Sequence, residues 1–317
     1  MSEARLNVHK FILIVFNEGV ISTLYGVPGS GKTNLAVVFM QMLVERGYHV
    51  YTNINFFDYK QVGEAINKGY LKRGIHYRKR PDEIHIILTV SELLMGLLTT
   101  EKNVVILDES GIFASSLNPR AKNVRTLKEL AFIIRHLSAS LMLLAQSKGS
   151  IIPDLRSTLT EIELRIKKLG MGDARVLSVA TAVQATNDLG EEETRFEVAD
   201  GDEYYGIPPT VYPFDSKFLP AFKLDINLTE ALERLAKLNT IDVREQGAKI
   251  VSDLKEETER KGEKKKESKR KERDPLINER LKIFYETHPD ATIREAAKEC
   301  GTTYNYARKV HFEISGF

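Results

Sequence analysis

The stretch Gly26-Val27-Pro28-Gly29-Ser30-Gly31-Lys32-Thr33 constrains the fold more than any other part of the chain. It matches G-x-x-x-x-G-K-[ST] in full, and its flanks give the match meaning. Val20 to Tyr25 reads as a strand. Asn34 to Arg46 reads as a helix, with Leu35, Val38, Phe39 and Met42 on one face and Gly47 at its end. A strand that turns through glycines into a helix N-terminus gathers backbone N–H groups around an anion. Glycine removes the Cβ that would block close approach, and the helix dipole favours negative charge. The chemistry implied is ATP binding, with Gly26, Pro28, Gly29, Ser30 and Gly31 as the cradle. Lys32 would bridge the β- and γ-phosphates and Thr33 would ligate Mg2+.

The surrounding pattern is that of an α/β protein. Short β-branched runs alternate with helical stretches over the first two thirds of the chain, as in a parallel sheet covered by helices. Further strands are expected at His49 to Ile54, Ile84 to Leu88, Val104 to Leu107 and Leu141 to Ala145. The third of these strands ends in two acids, Asp108-Glu109. Asp108 at the strand tip would hold Mg2+, and Glu109 would polarise the attacking water as general base. Such a second acid defines the ASCE division of P-loop ATPases. The next strand ends in Gln146, where a polar side chain can sense the γ-phosphate and orient water, since ligands gather at the carboxyl ends of parallel strands. Glu161 to Leu169 and Arg175 to Val183 flank Gly170-Met171-Gly172-Asp173 and read as an antiparallel β-hairpin appended to the core. Four prolines, at 208, 209, 213 and 220, make the segment near 200–222 irregular.

Composition excludes several classes. One cysteine, Cys300, leaves no intramolecular disulfide and fits a reducing cytoplasm. The apolar run Phe11 to Phe16 stops at Asn17-Glu18, short of the roughly 20 residues that cross a bilayer, so no direct membrane insertion is expected. His76 and His288 lack partners at metal-ligand spacing, so no metal beyond nucleotide-bound Mg2+ is expected. The net charge of +2 gives no global case for nucleic acid.

Asp108-Glu109-Ser110, Arg135-His136, Ala145-Gln146-Ser147 and Ile152-Pro153-Asp154-Leu155-Arg156-Ser157 together resemble the FtsK–HerA superfamily of DNA-pumping ATPases. The Arg-His before the strand that ends in Gln146, and the Asp-x-x-Arg after it, are most similar to the Zot-like branch. The resemblance spans about residues 20–170. It implies a RecA-like sheet, homo-oligomeric ring assembly (often hexameric) and double-stranded DNA passing through the centre. It also implies an arginine from the neighbouring subunit that stabilises charge on the transferring phosphoryl group. Arg156 and Arg135 are the first candidates, followed by Arg120. Neither the long N-terminal barrel of HerA nor the transmembrane segment of phage Zot proteins is recognisable, so a minimal motor of the viral or plasmid kind is expected. Such a motor would work with a capsid or membrane-bound partner.

Tyr70 to Arg80 interleaves basic and aromatic residues, as a DNA-tracking loop or a solvated basic loop would. An amphipathic helix from Leu228 to Leu254 leads into Lys255–Asp274, a charged stretch that reads equally as a solvated helix or a disordered linker. Residues 276–316 read as three helices: Leu276 to Thr287, Thr292 to Cys300 and Thr302 to Phe312. Ala297 and Gly301 have helix-turn-helix spacing, and Ile293, Ala307 and Val310 fall at core positions. Thr302, Thr303, Tyr304, Asn305, Arg308 and Lys309 would face a DNA groove, although many trihelical modules bind protein. The expected organisation is a P-loop ATPase domain (1–227), a charged linker (228–274) and a small all-α helix-turn-helix domain (275–317). The expected function is DNA translocation in the host cytoplasm for packaging or transfer. Two alternatives are Zot-like virion extrusion and a nucleotide-switched DNA-binding regulator or partition protein.

Overall fold

The structure is a computed structural model. It describes residues 14–108, 122–147, 159–168, 175–186, 192–197, 203–205, 210–215, 222–238, 240–272 and 275–315. Two compact units divide the chain, Met1–Ser252 and Asp253–Phe317.

The first unit is built on one sheet. Its strands are β1 (Ile21–Tyr25), β2 (His49–Thr52), β3 (Ile84–Ile86), β4 (Asn103–Leu107), β5 (Ser140–Ala145), β6 (Ile162–Lys168), β7 (Arg175–Thr186), β8 (Glu192–Glu197) and β9 (Glu203–Tyr205). The spatial order is β3-β2-β4-β5-β1-β6-β7-β8, with β9 also on β7. From β3 to β6 every pairing is parallel. Beyond that the sheet turns antiparallel, β6 with β7 and β7 with both β8 and β9. Parallel strands buried on both faces explain the near-continuous apolar runs Val104-Val105-Ile106-Leu107 and Leu141-Met142-Leu143-Leu144, all fully or almost fully buried.

Helix α1 (Lys32–Val44) covers one face. Its Leu35, Phe39 and Leu43 pack with Leu24, Ile106, Leu144, Leu164 and Ile166 from four strands. After it come a 3₁₀ turn at Tyr59–Gln61 and the short helix α2 (Val62–Asn67). The other face carries α3 (Val90–Thr99), α4 (Lys122–His136) and α5 (Leu228–Leu235). The sequence reading identified neither α3 nor α4. Helix α3 starts at a capping box, in which Thr89 and Glu92 satisfy each other's backbone N–H groups. Its interior Gly96 is set by packing: a Cβ there would stand 2.2 Å from Tyr51 Cε1 on β2.

The amphipathic stretch expected as one helix from Leu228 to Leu254 is two. Helix α5 ends at Leu235, with Ala236 as its C-cap, and α6 (Thr240–Glu272) follows. The first part of the expected linker, residues 228–252, lies in the first unit because its apolar positions are buried: Leu228, Ala231, Leu235, Val243 and Val251. Gly247 lets α6 approach Leu98, whose Cδ2 would be 2.6 Å from an added Cβ. Helix α6 continues into the second unit, which holds α7 (Pro275–Thr287), α8 (Ile293–Glu299) and α9 (Tyr304–Ser315). Ile277, Leu281, Tyr285, Ala296, Ala297, Cys300, Ala307 and Val310 form its core, with Ile293 packed against it. Thr292 caps α8 through a capping box with Glu295, and Gly301 makes the turn to α9 at φ +66°.

Among the described residues, no helix is long and apolar enough to cross a membrane.

Two predictions follow from this packing. Gly96→Ala gains roughly 1 kcal/mol of helix propensity but forces a Cβ into a ring that is 3% exposed and tied to Thr100 Oγ1 at 2.7 Å. Overpacking of this kind costs about 1–3 kcal/mol, so urea unfolding should find the variant less stable by about 1 kcal/mol. Equal or greater stability would mean that Tyr51 yields freely. The second concerns His85, which stacks on Tyr51 and meets His49 Nδ1 at 3.1 Å. Burial, then the neighbouring His49 and Arg80, holds its imidazole below the ordinary value. The folded state therefore binds fewer protons at His85 than the unfolded chain does. This contribution is present above roughly pH 6.5 and is lost as pH falls through the lower folded-state value. His85→Gln should flatten that acid limb in urea titrations against pH, and an unchanged limb would assign it to other groups.

Candidate active site

The phosphate loop hangs between the end of β1 and the start of α1. Gly26 N–H donates to Ala145 O at the tip of β5 (3.3 Å), and Ser30 N–H donates to Val27 O (3.1 Å). Gly29 and Gly31 sit at φ +76° and +99°, a region that strains any side chain. Gly26 is needed for a different reason. A Cβ there would lie 2.5 Å from Ile166 O and 2.7 Å from Ser30 Oγ, so β6 closes the back of the loop. Ser30 is buried, and its Oγ has no hydrogen-bond partner among the described residues. No side chain caps α1, so its leading N–H groups are the ones a phosphate would accept from. A glycine-lined concavity, an unsatisfied buried hydroxyl and an uncapped helix start all fit a polyphosphate.

Lys32 is almost wholly buried, at 8% exposure. Its Nζ donates to Gly26 O at 2.7 Å and to Val27 O at 3.4 Å, which arches the side chain across its own loop. Thr33 Oγ1 donates to Asp108 Oδ2 at 2.8 Å, joining the first turn of α1 to the end of β4. The two are 75 positions apart in sequence, and the fold makes them neighbours. Both are hard oxygen donors of the kind a small divalent cation takes.

Sequence reasoning missed Asn53. This fully buried residue just past β2 donates from Nδ2 to Asp108 O (3.1 Å) and accepts Asp108 N–H at Oδ1 (2.7 Å). One side-chain amide thus holds both backbone groups of the metal-binding candidate. The signal was available, since a polar residue ending an apolar parallel strand points to the carboxyl-end crevice.

Gln146 follows Ala145, the residue paired with Tyr25 at the last rung of β1, and stands exposed beside the start of the loop. Arg135 is elsewhere. It pairs with Glu161 at 3.5 Å, just before β6 begins and therefore at the opposite end of the sheet from the loop. Within one chain it does not reach the cradle. Glu109, Arg156 and Arg120 lie outside the described residues.

The family model described as "Zonular occludens toxin (Zot)" matches residues 20–199, 180 of the 317 residues. The chain belongs to the Zot family. Its match takes in the loop, Asn53, Asp108, Gln146 and the antiparallel strands β6 to β8. Similar solved structures include the N-terminal domain of zonular occludens toxin from Neisseria meningitidis. It is 20% identical, with 58% of this chain and 96% of that one covered, at a TM-score of 0.32. The flagellar accessory protein FlaH from Methanocaldococcus jannaschii is 14% identical, covering 63% and 100%, at 0.35. The genome packaging NTPase B204 from Sulfolobus turreted icosahedral virus 2 is 12% identical, covering 48% and 78%, at 0.32. Scores this low add nothing to the fold assignment, which rests on strand order and the loop. Among curated proteins no sequence matches the chain. This Zot-family chain is a P-loop ATPase.

Asn53→Ala leaves Asp108 N–H and C=O without their partner, which should cost about 1–3 kcal/mol of stability. With Asp108 no longer held against Thr33, ATP turnover should fall at least about tenfold, more than nucleotide affinity does, because geometry at the reacting end is lost first. Steady-state ATPase assays beside urea melts check both, and wild-type turnover in the variant would release Asn53 from its positioning role.

Proposed function

We propose that this Zot-family ATPase is an oligomeric motor that translocates double-stranded DNA, as in virus genome packaging or plasmid transfer. In this reading the motor is RecA-like, of the FtsK–HerA type, and forms a ring, possibly six-membered in keeping with that type. It acts in the host cytoplasm with a capsid or membrane-bound partner.

The proposed chemistry uses the loop and the acids. Thr33 and Asp108 would hold Mg2+, which would supply positive charge for the phosphates. Lys32 leaves its backbone acceptors for the phosphate oxygens. Glu109, next in the chain to the positioned Asp108, takes the proton of the attacking water, and Gln146 orients that water. Arg156 of a neighbouring subunit supplies positive charge as the phosphoryl group leaves. Arg135, on the far end of the sheet, serves only if the ring turns that end toward another subunit's site.

The surface of α9 carries the choice of DNA as the track. Tyr304, Asn305, Arg308 and Lys309 are exposed on a helix whose Ala307 and Val310 are in the core. Polar and basic side chains on the last helix of a trihelical module fit the docking of a recognition helix in a major groove. Thr302 and Thr303 are half-buried and contribute less. Residues 275–317 are therefore read as a helix-turn-helix that grips or selects DNA. The loop at 70–80 supplies exposed Lys72, Arg73, Arg78 and Lys79, while Tyr77 is buried with Leu71 and Ala65 as an anchor. Phosphate attraction is the contact that these four cations favour, and Tyr70 is the exposed aromatic beside them. Family membership keeps a second reading alive, ATP-driven virion extrusion, which differs in needing a membrane-bound partner.

ATP turnover should rise several-fold with nonspecific duplex DNA, and that stimulation should vanish in Glu109→Gln. Turnover indifferent to DNA, together with footprinting at one sequence, would favour a nucleotide-switched regulator instead. Arg156→Ala should keep nucleotide binding and lose turnover by about 10³-fold, as arginine donation in trans demands. Wild-type turnover would exclude Arg156 from that role.

A further inference from the structure

The antiparallel strands β6 and β7 are left without a function by the chemistry above, yet they touch the cradle. Residues paired across antiparallel strands share a face. Ile166 pairs with Leu177, and Leu164 with Val179, and all four belong to the core that includes α1. The next rung on that face pairs Lys168 with Arg175. It places two cations one step past the apolar floor of the phosphate loop. Arg175 is half-buried. A Cβ built on Gly31 would stand 3.6 Å from Arg175 Nε and 3.7 Å from Ile166 Cδ1. The guanidinium therefore lies against the loop residue that begins α1.

Strand order fixes which flank this is. Asp108 ends β4, two strands from β1 on one side, and Arg175 begins β7, two strands from β1 on the other. The acid and the arginine bracket the cradle from opposite sides. Thr33 is bonded to Asp108, so a terminal phosphate held with a cation on that side would leave Arg175 on the flank of the inner phosphates.

We propose that Arg175 is a nucleotide-binding residue acting within its own subunit, its guanidinium donating to the α- and β-phosphate oxygens of ATP and ADP. The role rests on the phosphate-loop assignment and is distinct from an arginine supplied by a neighbour, which acts on the γ-phosphoryl group. An arginine on the inner phosphates is retained by ADP after hydrolysis. It therefore sets affinity for substrate and product alike and leaves the chemical step to the other flank. Because Arg175 is the first residue of β7, the same contact ties the outer antiparallel strands to whether a nucleotide is bound.

The test measures binding of fluorescent ADP and ATP to the full chain, with saturating turnover, for wild type, Arg175→Ala, Arg175→Lys and Lys32→Ala. Loss of a charge-assisted hydrogen bond should weaken both nucleotides about 10- to 100-fold in Arg175→Ala. The factor should be the same for each, with kcat within about threefold of wild type, since the γ-phosphate is untouched. Arg175→Lys should keep part of the affinity, and ADP affinity should fall less steeply with added salt in Arg175→Ala than in wild type. A purely structural role would move neither the salt slope nor the lysine variant in that way. If Arg175→Ala fails to fold, judged by its melt without nucleotide, Arg175→Lys and Arg175→Gln decide: the lysine must bind ADP more tightly. Wild-type ADP affinity in Arg175→Ala, or loss of ATP affinity alone, overturns the proposal. Failure of wild type to bind nucleotide, or wild-type binding by Lys32→Ala, would instead overturn the phosphate-loop assignment beneath it.

Discussion

The hydrogen bond between Thr33 and Asp108 at 2.8 Å ties together parts of the chain that neither local propensity nor sequence proximity brings close. It spans from the turn after β1 to the tip of β4, with β5 lying between those strands. Such a contact requires the parallel register to be right at every rung, because a slip of one residue would turn Asp108 to the other face. The register is enforced by burial. Val104 and Ile106 face α1 with Met142 and Leu144, while Val105 and Leu107 face away with Leu141 and Leu143. Asn53 then holds the Asp108 backbone from the neighbouring strand. The site is thus a consequence of sheet packing, and its acid is aimed before any nucleotide arrives, which lowers the reorganisation needed during reaction.

Legibility in the sequence tracked how local the determining physics was. The phosphate loop, its strand and its helix were readable because glycine positions and a 3.6-residue apolar period are local signals. Strands β4 and β5 were readable because parallel strands buried on both faces are short, nearly unbroken apolar runs. Helix α3 was not read, although Thr89 and Glu92 announced its start. Its buried Val90, Leu93, Leu94, Leu97 and Leu98 keep a helical period, but Gly96 lowers helix propensity for the sake of Tyr51, a partner on another strand. Asn53 and Arg175 escaped for the same reason. Each gains its meaning from a neighbour on another strand, and a lone Asn or Arg carries no motif.

Tyr70 to Arg80 illustrates a different limit. Alternating basic and aromatic residues suggested that both kinds faced a ligand. Burial sets one of them apart: Tyr77 is 7% exposed and its hydroxyl meets Lys72 N–H at 3.1 Å, while Tyr70, Lys72, Arg73, Arg78 and Lys79 are exposed. Tyr77 fixes the loop, and the charges and Tyr70 decorate it. Composition alone cannot make that distinction, since anchoring and stacking call for the same residue types.

A division of labour between flanks of one cradle follows from the strand order. With β1 central, the loop's two neighbours are β5 on one side and β6 on the other, and beyond them stand β4 and β7. The β4 side carries Asp108, bonded to Thr33, and is suited to a metal ion. The β7 side carries Arg175 and Lys168 and is suited to anionic oxygens. Charge of one sign on each side gives a bound polyphosphate a single favourable direction, terminal phosphate toward the acids and their cation, inner phosphates toward the cations. Hydrolysis removes the interactions of the first flank and leaves those of the second. With Arg175 and Asp108 in their proposed roles, such an ATPase distinguishes ATP from ADP through β4, and filled from empty through β7. Only the second distinction is passed to the antiparallel strands, because they are continuous with β7 and not with β4.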